Sequence, residues 1–169
     1  MVGFKYCPQC KSELDNSGRY PKCNSCNVTF YRNSKPCAGI LPVKDGKVLL
    51  SKRAIEPLKG EIDIIGGFLE EGENPKDGAI REAKEETGCE VEIVDLLGVY
   101  VDRYGQGGDY TLNIHYLGKI KAGDMKPMED VESLHWVDIS SLPTKEGFNN
   151  TKEALRDLKN LFIKNSEIF

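Results

Sequence analysis

Hydrophobic residues recur with two different periods along this chain, and the two periods predict both strands and helices. Runs or alternations of apolar positions, bounded by glycine, proline or charged turns, predict five strands at 37–43, 47–53, 89–102, 111–120 and 133–139. The polar segment at 44–47 predicts a turn that joins the first two strands. Three strands are therefore expected after a central segment, 54–88, that lacks the strand period.

Two segments carry helical signals instead. The first begins with Asn74 as N-terminal cap and Pro75 at the first helical position, and it ends at Gly88, which suits a left-handed C-terminal cap. The second is an amphipathic helix near the end of the chain, which Thr151 is expected to cap. Its apolar side consists of Ala154, Leu155, Leu158, Leu161 and Phe162.

The first 35 residues contain too few large apolar side chains to form a stable hydrophobic core. They contain instead two Cys-x2-Cys pairs, Cys7 with Cys10 and Cys23 with Cys26. Such spacing forms a tight turn that lets both sulfurs reach one ion at ~2.3 Å, and two such turns complete a tetrahedron. The sequence therefore predicts a structural Zn²⁺ held by four thiolates, with disulfides or free thiols as the alternative. The expected organisation is a zinc-binding domain at 1–35 followed by a second domain at 36–169.

Charge is distributed unevenly between these two parts. Residues 1–36 carry six Lys or Arg side chains and two acidic ones, whereas the remainder carries 17 and 25. The basic part suits anions or nucleic acid, but the acidic remainder argues against the whole chain as a nucleic-acid binder. No apolar stretch approaches the ~20 residues of a membrane span, and the first residues lack the apolar core of a signal peptide. We therefore expect a cytoplasmic protein, whose thiols stay reduced.

Three acidic side chains occupy one face of the first predicted helix. Glu82, Glu85 and Glu86 stand at i, i+3 and i+4, a spacing at which like charges repel by ~0.2–0.5 kcal/mol per pair. They also lie towards the helix C-terminus, where the helix dipole disfavours negative charge. A bound cation would offset both costs, and clustered carboxylate oxygens suit Mg²⁺ or Mn²⁺. For such a cluster taken alone, a solvated acidic surface is the alternative.

The residues around this cluster favour the metal site. Gly66 and Gly67 allow the backbone to bend towards an ion held by the helix. Glu73 precedes the helix, where it is placed to pair with Arg81 and fix the intervening loop. Arg81 in turn precedes Glu82 and is placed to orient it. A catalytic metal centre is therefore the preferred interpretation.

The same residues carry a resemblance to a known family. The pattern that resembles the Nudix box is Gly67, five residues, Glu73, seven residues, Arg81-Glu82-Ala83, one residue, Glu85-Glu86, one residue, Gly88-Cys89. Every invariant polar or glycine position of that motif is filled, and Ala83 and Cys89 are small apolar substitutes at its two aliphatic positions. The segment at 132–137 and the final helix also resemble Nudix domains. Zinc-ribbon members of the family, similar to NADH, FAD and ADP-ribose pyrophosphatases, share the two-part layout.

The resemblance implies an α/β fold in which a mixed sheet is sandwiched between helices and preceded by a zinc ribbon. It implies a hydrolase that uses Mg²⁺ or Mn²⁺ to cleave a nucleoside diphosphate joined to another moiety, such as ADP-ribose or FAD. The products would be a nucleoside monophosphate and a phosphorylated remainder. The implied metal ligands are the Gly66 carbonyl, Glu82, Glu85 and Glu86, and Glu82 is also a candidate for deprotonating the attacking water. Family members are often homodimers, so a dimer is a further expectation.

Other residues bear on the rest of the site and on the substrate. A further carboxylate from beyond the sheet often completes Nudix sites, and Glu129 and Glu132 are the candidates here. The segment at 101–111 is rich in glycine, and its Arg103 or Tyr104 is placed to meet a phosphate or stack on a base; a flexible hairpin tip is the alternative. The Ser-Gln-Pro-Trp-Pro-Phe-Pro stretch of NADH pyrophosphatases is absent from residues 90–125, which weakens NADH as the substrate.

Two other classes of function stay open at this point. In one, the basic ribbon reads nucleic acid and the Nudix fold senses a nucleotide, although the intact set of box glutamates argues against a sensor without catalysis. In the other, the same fold hydrolyses nucleoside triphosphates or capped RNA. Product analysis separates these functions, because pyrophosphate marks cleavage of a triphosphate and AMP marks cleavage of an ADP conjugate.

Overall fold

The computed structural model describes residues 4–145 and 147–164, and the chain divides into two compact units, Met1–Ser34 and Lys35–Phe169. The first unit holds one antiparallel pair of short strands, β1 (Lys22–Cys23) and β2 (Val28–Thr29). Its buried apolar residues are Cys7, Leu14 and Cys23, with Cys26 and Phe30 packed against them. An interior this small buries little apolar surface with which to stabilise the unit.

The described part of the second unit consists of strands, one 3-10 turn and two α-helices. In order, its elements are β3 (Lys35–Lys44), β4 (Lys47–Arg53), β5 (Ile62–Asp63), β6 (Ile65–Phe68), α1 (Pro75–Thr87), β7 (Glu90–Arg103), β8 (Tyr110–Ala122), β9 (Val131–Asp138), a 3-10 turn (Ile139–Ser141) and α2 (Asn149–Lys164). The strands form one sheet in the order β5-β4-β3-β8-β7, with β6 also paired to β3 and β9 also paired to β4. The β3–β8 pairing is parallel and the others are antiparallel, which confirms the mixed sheet that was expected.

The two helices cover opposite faces of this sheet. Alternation along β3 directs Ile40 to one face and Leu41 to the other, and both side chains are fully buried. Ala83 of α1 packs in the cluster that contains Ile40, and Leu158 of α2 packs in the cluster that contains Leu41. Burial of each such leucine or isoleucine stabilises the fold by roughly 1.5–3 kcal/mol. The expected sandwich of helix, sheet and helix is confirmed. No helix in the described part of the chain is long and apolar enough to cross a membrane.

Helix α1 has the ends that the sequence predicts. The side chain of Asn74 accepts a hydrogen bond from the backbone N–H of Lys76 at 3.0 Å, and Pro75 is the first helical residue. At the other end Gly88 takes a left-handed φ of 71°, and its N–H donates to the carbonyl of Lys84. Both ends are therefore stabilised by local residues, which is why the sequence pattern locates them.

Helix α2 begins earlier than predicted, at Asn149 rather than after a cap at Thr151. Thr151 is fully buried in the first turn, and its hydroxyl donates to Oδ1 of Asp63 at 2.8 Å. The capping carboxylate comes instead from Asp102 of β7, whose Oδ2 accepts the backbone N–H of Asn150 at 2.8 Å. A cap supplied from a distant strand leaves no mark in the local sequence, so the prediction of Thr151 was wrong.

Candidate active site

A cavity of about 330 Å³ lies in the second unit, lined by residues of both helices and of strands β3 to β8. Carboxylates outnumber basic groups on its wall. The acidic residues are Asp63, Glu82, Glu85, Glu86, Glu129 and Asp130, and the basic ones are Arg53 and Arg103. An anionic diphosphate would be repelled by this wall, unless cations accompany it into the cavity.

Arg81 organises the glutamates around α1. Its guanidinium donates to both oxygens of Glu73, at 2.8 and 2.9 Å. It also donates to Glu82 at 2.8 Å, to Glu85 at 2.9 Å and to the carbonyl of Phe68 at 3.1 Å. These bonds hold the loop between β6 and α1 and fix the direction of two clustered carboxylates. The hydrogen bond from Arg81 is also the main reason that the pKa of Glu73 falls to about 2.

Glu86 makes a different set of contacts, although it lies on the same helix. Its Oε2 accepts the backbone N–H of Gly66 at 3.1 Å. The pKa of Glu86 is raised to about 8, mainly by burial and also by the negative charges of Asp63 and Glu82. Burial is also the main cause that raises the pKa of Glu82. Two half-buried carboxylates so arranged are costly to ionise, and a cation bound at their oxygens would offset that cost.

Gly66 and Gly67 bring the backbone of β6 against these carboxylates. The φ of Gly66 is 153°, a conformation that L side chains rarely adopt, and a Cβ there would collide with the carbonyl of Ala38. A Cβ on Gly67 would lie 2.5 Å from Oε1 of Glu82. Glycine at both positions therefore allows polar backbone atoms to reach the carboxylate cluster.

The two candidate glutamates beyond the sheet occupy different environments. Glu129 lines the cavity, and it follows Met128, whose N–H donates to the carbonyl of Glu86 at 2.9 Å. That bond ties the turn before β9 to the C-terminal end of α1. Glu132 lies on β9, forms an exposed ion pair with Lys52 at 2.9 Å and is not among the residues that line the cavity. The geometry favours Glu129 over Glu132.

Arg103 and Tyr104 both line the cavity, at the end of β7. The ring of Tyr104 stacks on Phe148, with centroids 5.7 Å apart, and meets Phe68 edge-on at 5.4 Å. The guanidinium of Arg103 lies over the ring of Tyr110 at 4.8 Å. Together they give this part of the cavity aromatic and cationic surface, which suits bases and phosphates.

Several cavity residues carry no signal in the sequence. Arg53 forms an ion pair with Asp63 at 2.9 Å and lies over the ring of Phe148 at 5.1 Å. Other unpredicted polar residues of the wall include Thr111, Asn113, His115 and Asn150. They come from β4, β8 and α2, which are far apart in the chain, and the parallel pairing of β3 with β8 is one of the contacts that bring them together. No local spacing pattern marks such a set.

The first unit brings its four predicted metal ligands together. The sulfur atoms of Cys7, Cys10, Cys23 and Cys26 all lie within 4.8 Å of one another, and none forms a disulfide. Lys11 and Asn27, which follow the second cysteine of each pair, have positive φ values of 63° and 57° and so close two tight turns. Four sulfurs this close fit one tetrahedral ion with sulfur–metal distances of ~2.3 Å.

Comparison with known proteins identifies the second unit. The family model of the NUDIX domain matches residues 33–158 of this chain. The chain belongs to the NUDIX family. Among curated proteins, an ADP-ribose pyrophosphatase of Methanocaldococcus jannaschii is 35% identical over 109 residues, which are 64% of this chain and 64% of the relative. The NAD-capped RNA hydrolase NudC of Vibrio atlanticus is 28% identical over 143 residues, which are 83% of this chain and 51% of the relative. This NUDIX chain thus spans less than two thirds of the length of either relative.

Solved structures of NUDIX proteins share the fold. A NUDIX hydrolase from Nitrosomonas europaea matches with a TM-score of 0.80 and 26% identity, covering 95% of this chain and 93% of that one. A MutT NUDIX hydrolase from Burkholderia pseudomallei matches with a TM-score of 0.68 and 27% identity, covering 75% of this chain and 98% of that one. The first match extends beyond the NUDIX unit into the cysteine-containing unit.

Proposed function

We propose that this NUDIX protein is a metal-dependent pyrophosphohydrolase, which cleaves a nucleoside diphosphate joined to another moiety into a nucleoside monophosphate and a phosphorylated remainder. The observation that carries the proposal is the cluster of carboxylates on the cavity wall, of which Arg81 holds Glu82 and Glu85 in a fixed arrangement. Such a wall attracts divalent cations, and a diphosphate supplies the remaining oxygen ligands that Mg²⁺ prefers.

The residues that would hold the ions are Glu82, Glu85, Glu86 and the carbonyl of Gly66, with Glu129 as a further ligand. Their donor atoms are all oxygens, which suits Mg²⁺ or Mn²⁺. The bound ions would neutralise the diphosphate and lower the pKa of a bound water. Because Arg81 orients Glu82 and Glu85 in advance, little side-chain ordering remains to be done on binding. As an alternative to binding an ion, Glu82, whose pKa is raised mainly by burial, would accept the proton of the attacking water.

The substrate class follows from the cavity and from the relatives. Arg103 and Tyr104 provide the cationic and aromatic surface that a nucleotide needs. The curated relatives are named for ADP-ribose and for NAD-capped RNA, and both of these contain a nucleoside diphosphate joined to a second group. ADP-ribose is therefore the first substrate to test, and an NAD-capped RNA is the second.

We also propose that residues 1–35 form a zinc ribbon and that residues 36–169 form the catalytic domain. The four-cysteine cluster supports a structural Zn²⁺, because every tetrahedral position would be filled by a thiolate. A closed site of this kind leaves no position for catalysis, so the hydrolytic ions belong to the NUDIX unit alone.

A hydrolysis screen with identified products tests the function. The full chain is incubated with Mg²⁺ or Mn²⁺ and with ADP-ribose, FAD, NADH, diadenosine polyphosphates, nucleoside triphosphates or NAD-capped RNA. We expect AMP to be released from ADP-ribose, and Glu86→Gln to lower that rate by on the order of 100-fold or more. Pyrophosphate release from triphosphates alone, or equal rates for the two proteins, would contradict the proposal.

A further inference from the structure

One wall of the cavity is a polar stripe on β8 that contains none of the proposed metal ligands. The polar stripe consists of Thr111, Asn113 and His115, which alternate along the strand and so share one face. Their exposed fractions are 3%, 7% and 5%. Polar groups buried this deeply are usually hydrogen-bonded, so each donor and acceptor in the stripe can be assigned.

The amide of Asn113 has one possible orientation. Its Nδ2 donates to the carbonyl of Tyr100 at 3.3 Å and to Oγ1 of Thr111 at 3.0 Å. A carbonyl only accepts, so the nitrogen must face Tyr100 and the amide cannot be flipped. The hydroxyl of Thr111 donates its own hydrogen to the carbonyl of Asp102, at 3.4 Å. Both amide hydrogens of Asn113 are thus used, whereas its Oδ1 accepts no hydrogen bond from any described residue.

His115 is oriented by a similar chain of contacts. Nδ2 of Asn150 donates to the carboxylate of Asp102 at 3.2 Å, which turns Oδ1 of Asn150 towards His115. Nε2 of His115 lies 2.9 Å from that oxygen and must therefore carry the proton. Burial lowers the pKa of His115, so the ring is neutral and its Nδ1 has no hydrogen to donate. The three side chains of the polar stripe consequently offer no free donor to the cavity.

A wall that offers an acceptor and no donor discriminates between the parts of a nucleotide. Phosphate oxygens only accept, so they gain nothing at Asn113, whereas a base or ribose carries N–H or O–H donors. The same cavity contains the aromatic rings of Phe68, Tyr104 and Phe148, which suit a base. We propose that Oδ1 of Asn113 is a specificity-determining acceptor that binds a donor hydrogen of the substrate's nucleoside, an N–H of the base being the donor the aromatic rings favour. This inference rests on the proposed function, because it requires a nucleotide in the cavity.

Functional groups of the ligand can be removed singly to test this assignment. Dissociation constants are measured calorimetrically for AMP and three analogues, with Mg²⁺ present because the acidic wall repels an unaccompanied phosphate. Purine riboside 5′-monophosphate lacks the amino group of the base, and the 2′-deoxy and 3′-deoxy forms of AMP each lack one ribose hydroxyl. If Asn113 binds the base, only the first analogue should bind more weakly than AMP, by at least about 5-fold. If a deoxy form is the weaker ligand instead, the donor is a ribose hydroxyl.

Two variants of Asn113 test whether the ligand group whose removal weakens binding is the one that contacts this residue. Asn113→Leu removes the acceptor at similar volume. It should bring the ratio of the weaker analogue's dissociation constant to that of AMP down to about one. Asn113→Asp retains an acceptor and should preserve this ratio. Unchanged ratios in a folded Asn113→Leu protein would overturn the proposal. Ratios near one for every analogue with the unaltered protein would overturn it even if the leucine variant does not fold. So would the absence of binding by AMP, GMP, CMP and UMP. Hydrolysis of ADP-ribose is followed separately, so a failure of this inference is distinguishable from a failure of the proposed function.

Discussion

Asp102 on β7 holds the first turn of α2 through its carboxylate, which accepts the backbone N–H of Asn150 at 2.8 Å and the side-chain amide of Asn150 at 3.2 Å. Its other oxygen accepts the side-chain amide of Asn149 at 3.3 Å. A negative charge at a helix N-terminus is further stabilised by the helix dipole. These contacts connect two parts of the cavity wall, since Arg103 follows Asp102 and Asn150 lies in the first turn of α2.

Replacing this carboxylate should destabilise the whole NUDIX unit. Asp102 is 7% exposed, and Asp102→Asn removes the charge and leaves at least one donor of α2 without its acceptor. We expect the free energy of unfolding to fall by about 1–3 kcal/mol, measured by urea denaturation at neutral pH. Asp109→Asn is the matched control, because Asp109 forms only an exposed ion pair with Lys35 and its loss should cost about 0.5 kcal/mol or less. Equal changes in the two variants would contradict the capping role.

The same contact explains why the sequence located both ends of α1 but not the start of α2. Both ends of α1 are marked by neighbours in the chain, Asn74 and Pro75 at the start and Gly88 at the end, so local patterns locate them. The start of α2 depends on Asp102, 48 residues away, and nothing near Asn149 reveals it. Strands β5 and β6 were also missed, since they have two and four residues and show no usable period.

The residues of the candidate site likewise fall into two sets, one that the sequence predicts and one that it does not. The residues of the Nudix box lie within 23 positions, so their spacing in the sequence predicts an ion site on one helix face and its preceding loop. The opposite wall depends on Asn113 lying next to Cys37 in the parallel β3–β8 pairing, a contact between segments 76 residues apart. Hydrophobic patterns locate such strands but do not tell which strands become neighbours, so that wall could be recognised only in the folded chain.

Two glutamates that the sequence could not separate should behave differently in catalysis. Glu129 lines the cavity, whereas the exposed side chain of Glu132 on β9 forms an ion pair with that of Lys52 on β4. We expect Glu129→Gln to lower kcat/KM for ADP-ribose by about 10-fold to 100-fold, because a charge near the metal ions is lost. Glu132→Gln is its matched control and should stay within about 2-fold of the unaltered protein, as expected for an exposed ion pair. A larger loss in the Glu132 variant would reverse the assignment.

The stability of the metal-free protein should fall as the pH rises. Burial raises the pKa of Glu86 from 4.5 to about 8, so the folded chain holds this proton more tightly than the unfolded chain does. The resulting stabilisation is fully present below about pH 4.5 and is lost as the pH rises towards 8. Urea denaturation in buffer without added Mg²⁺ or Mn²⁺, between pH 5 and pH 8, should show a loss on the order of 1 kcal/mol per pH unit.

Glu86→Gln provides the control for this titration, because glutamine keeps the shape of the side chain and cannot ionise. Its stability should depend less steeply on pH over the same interval. Added Mg²⁺ should restore stability at pH 8 in the unaltered protein more than in the variant, since the ion binds the ionised carboxylate. Parallel pH profiles for the two proteins would show that Glu86 does not carry the effect.

The first unit should lose both its metal and its fold when one cysteine is replaced. Cys23 is fully buried and its sulfur lies 3.5 Å from that of Cys10, so Cys23→Ser removes a central ligand. Metal binding is worth about 10–16 kcal/mol in comparable small zinc domains, far more than the few apolar contacts of this unit can replace. Zinc content should therefore drop from one ion per chain to near zero, and hydrogen exchange should accelerate in residues 4–34 while β3 to β9 keep their protection. Cys89→Ser replaces a buried cysteine of the other unit and should leave the zinc content unchanged. Retention of a full equivalent of zinc by the Cys23 variant would rule out a four-thiolate site.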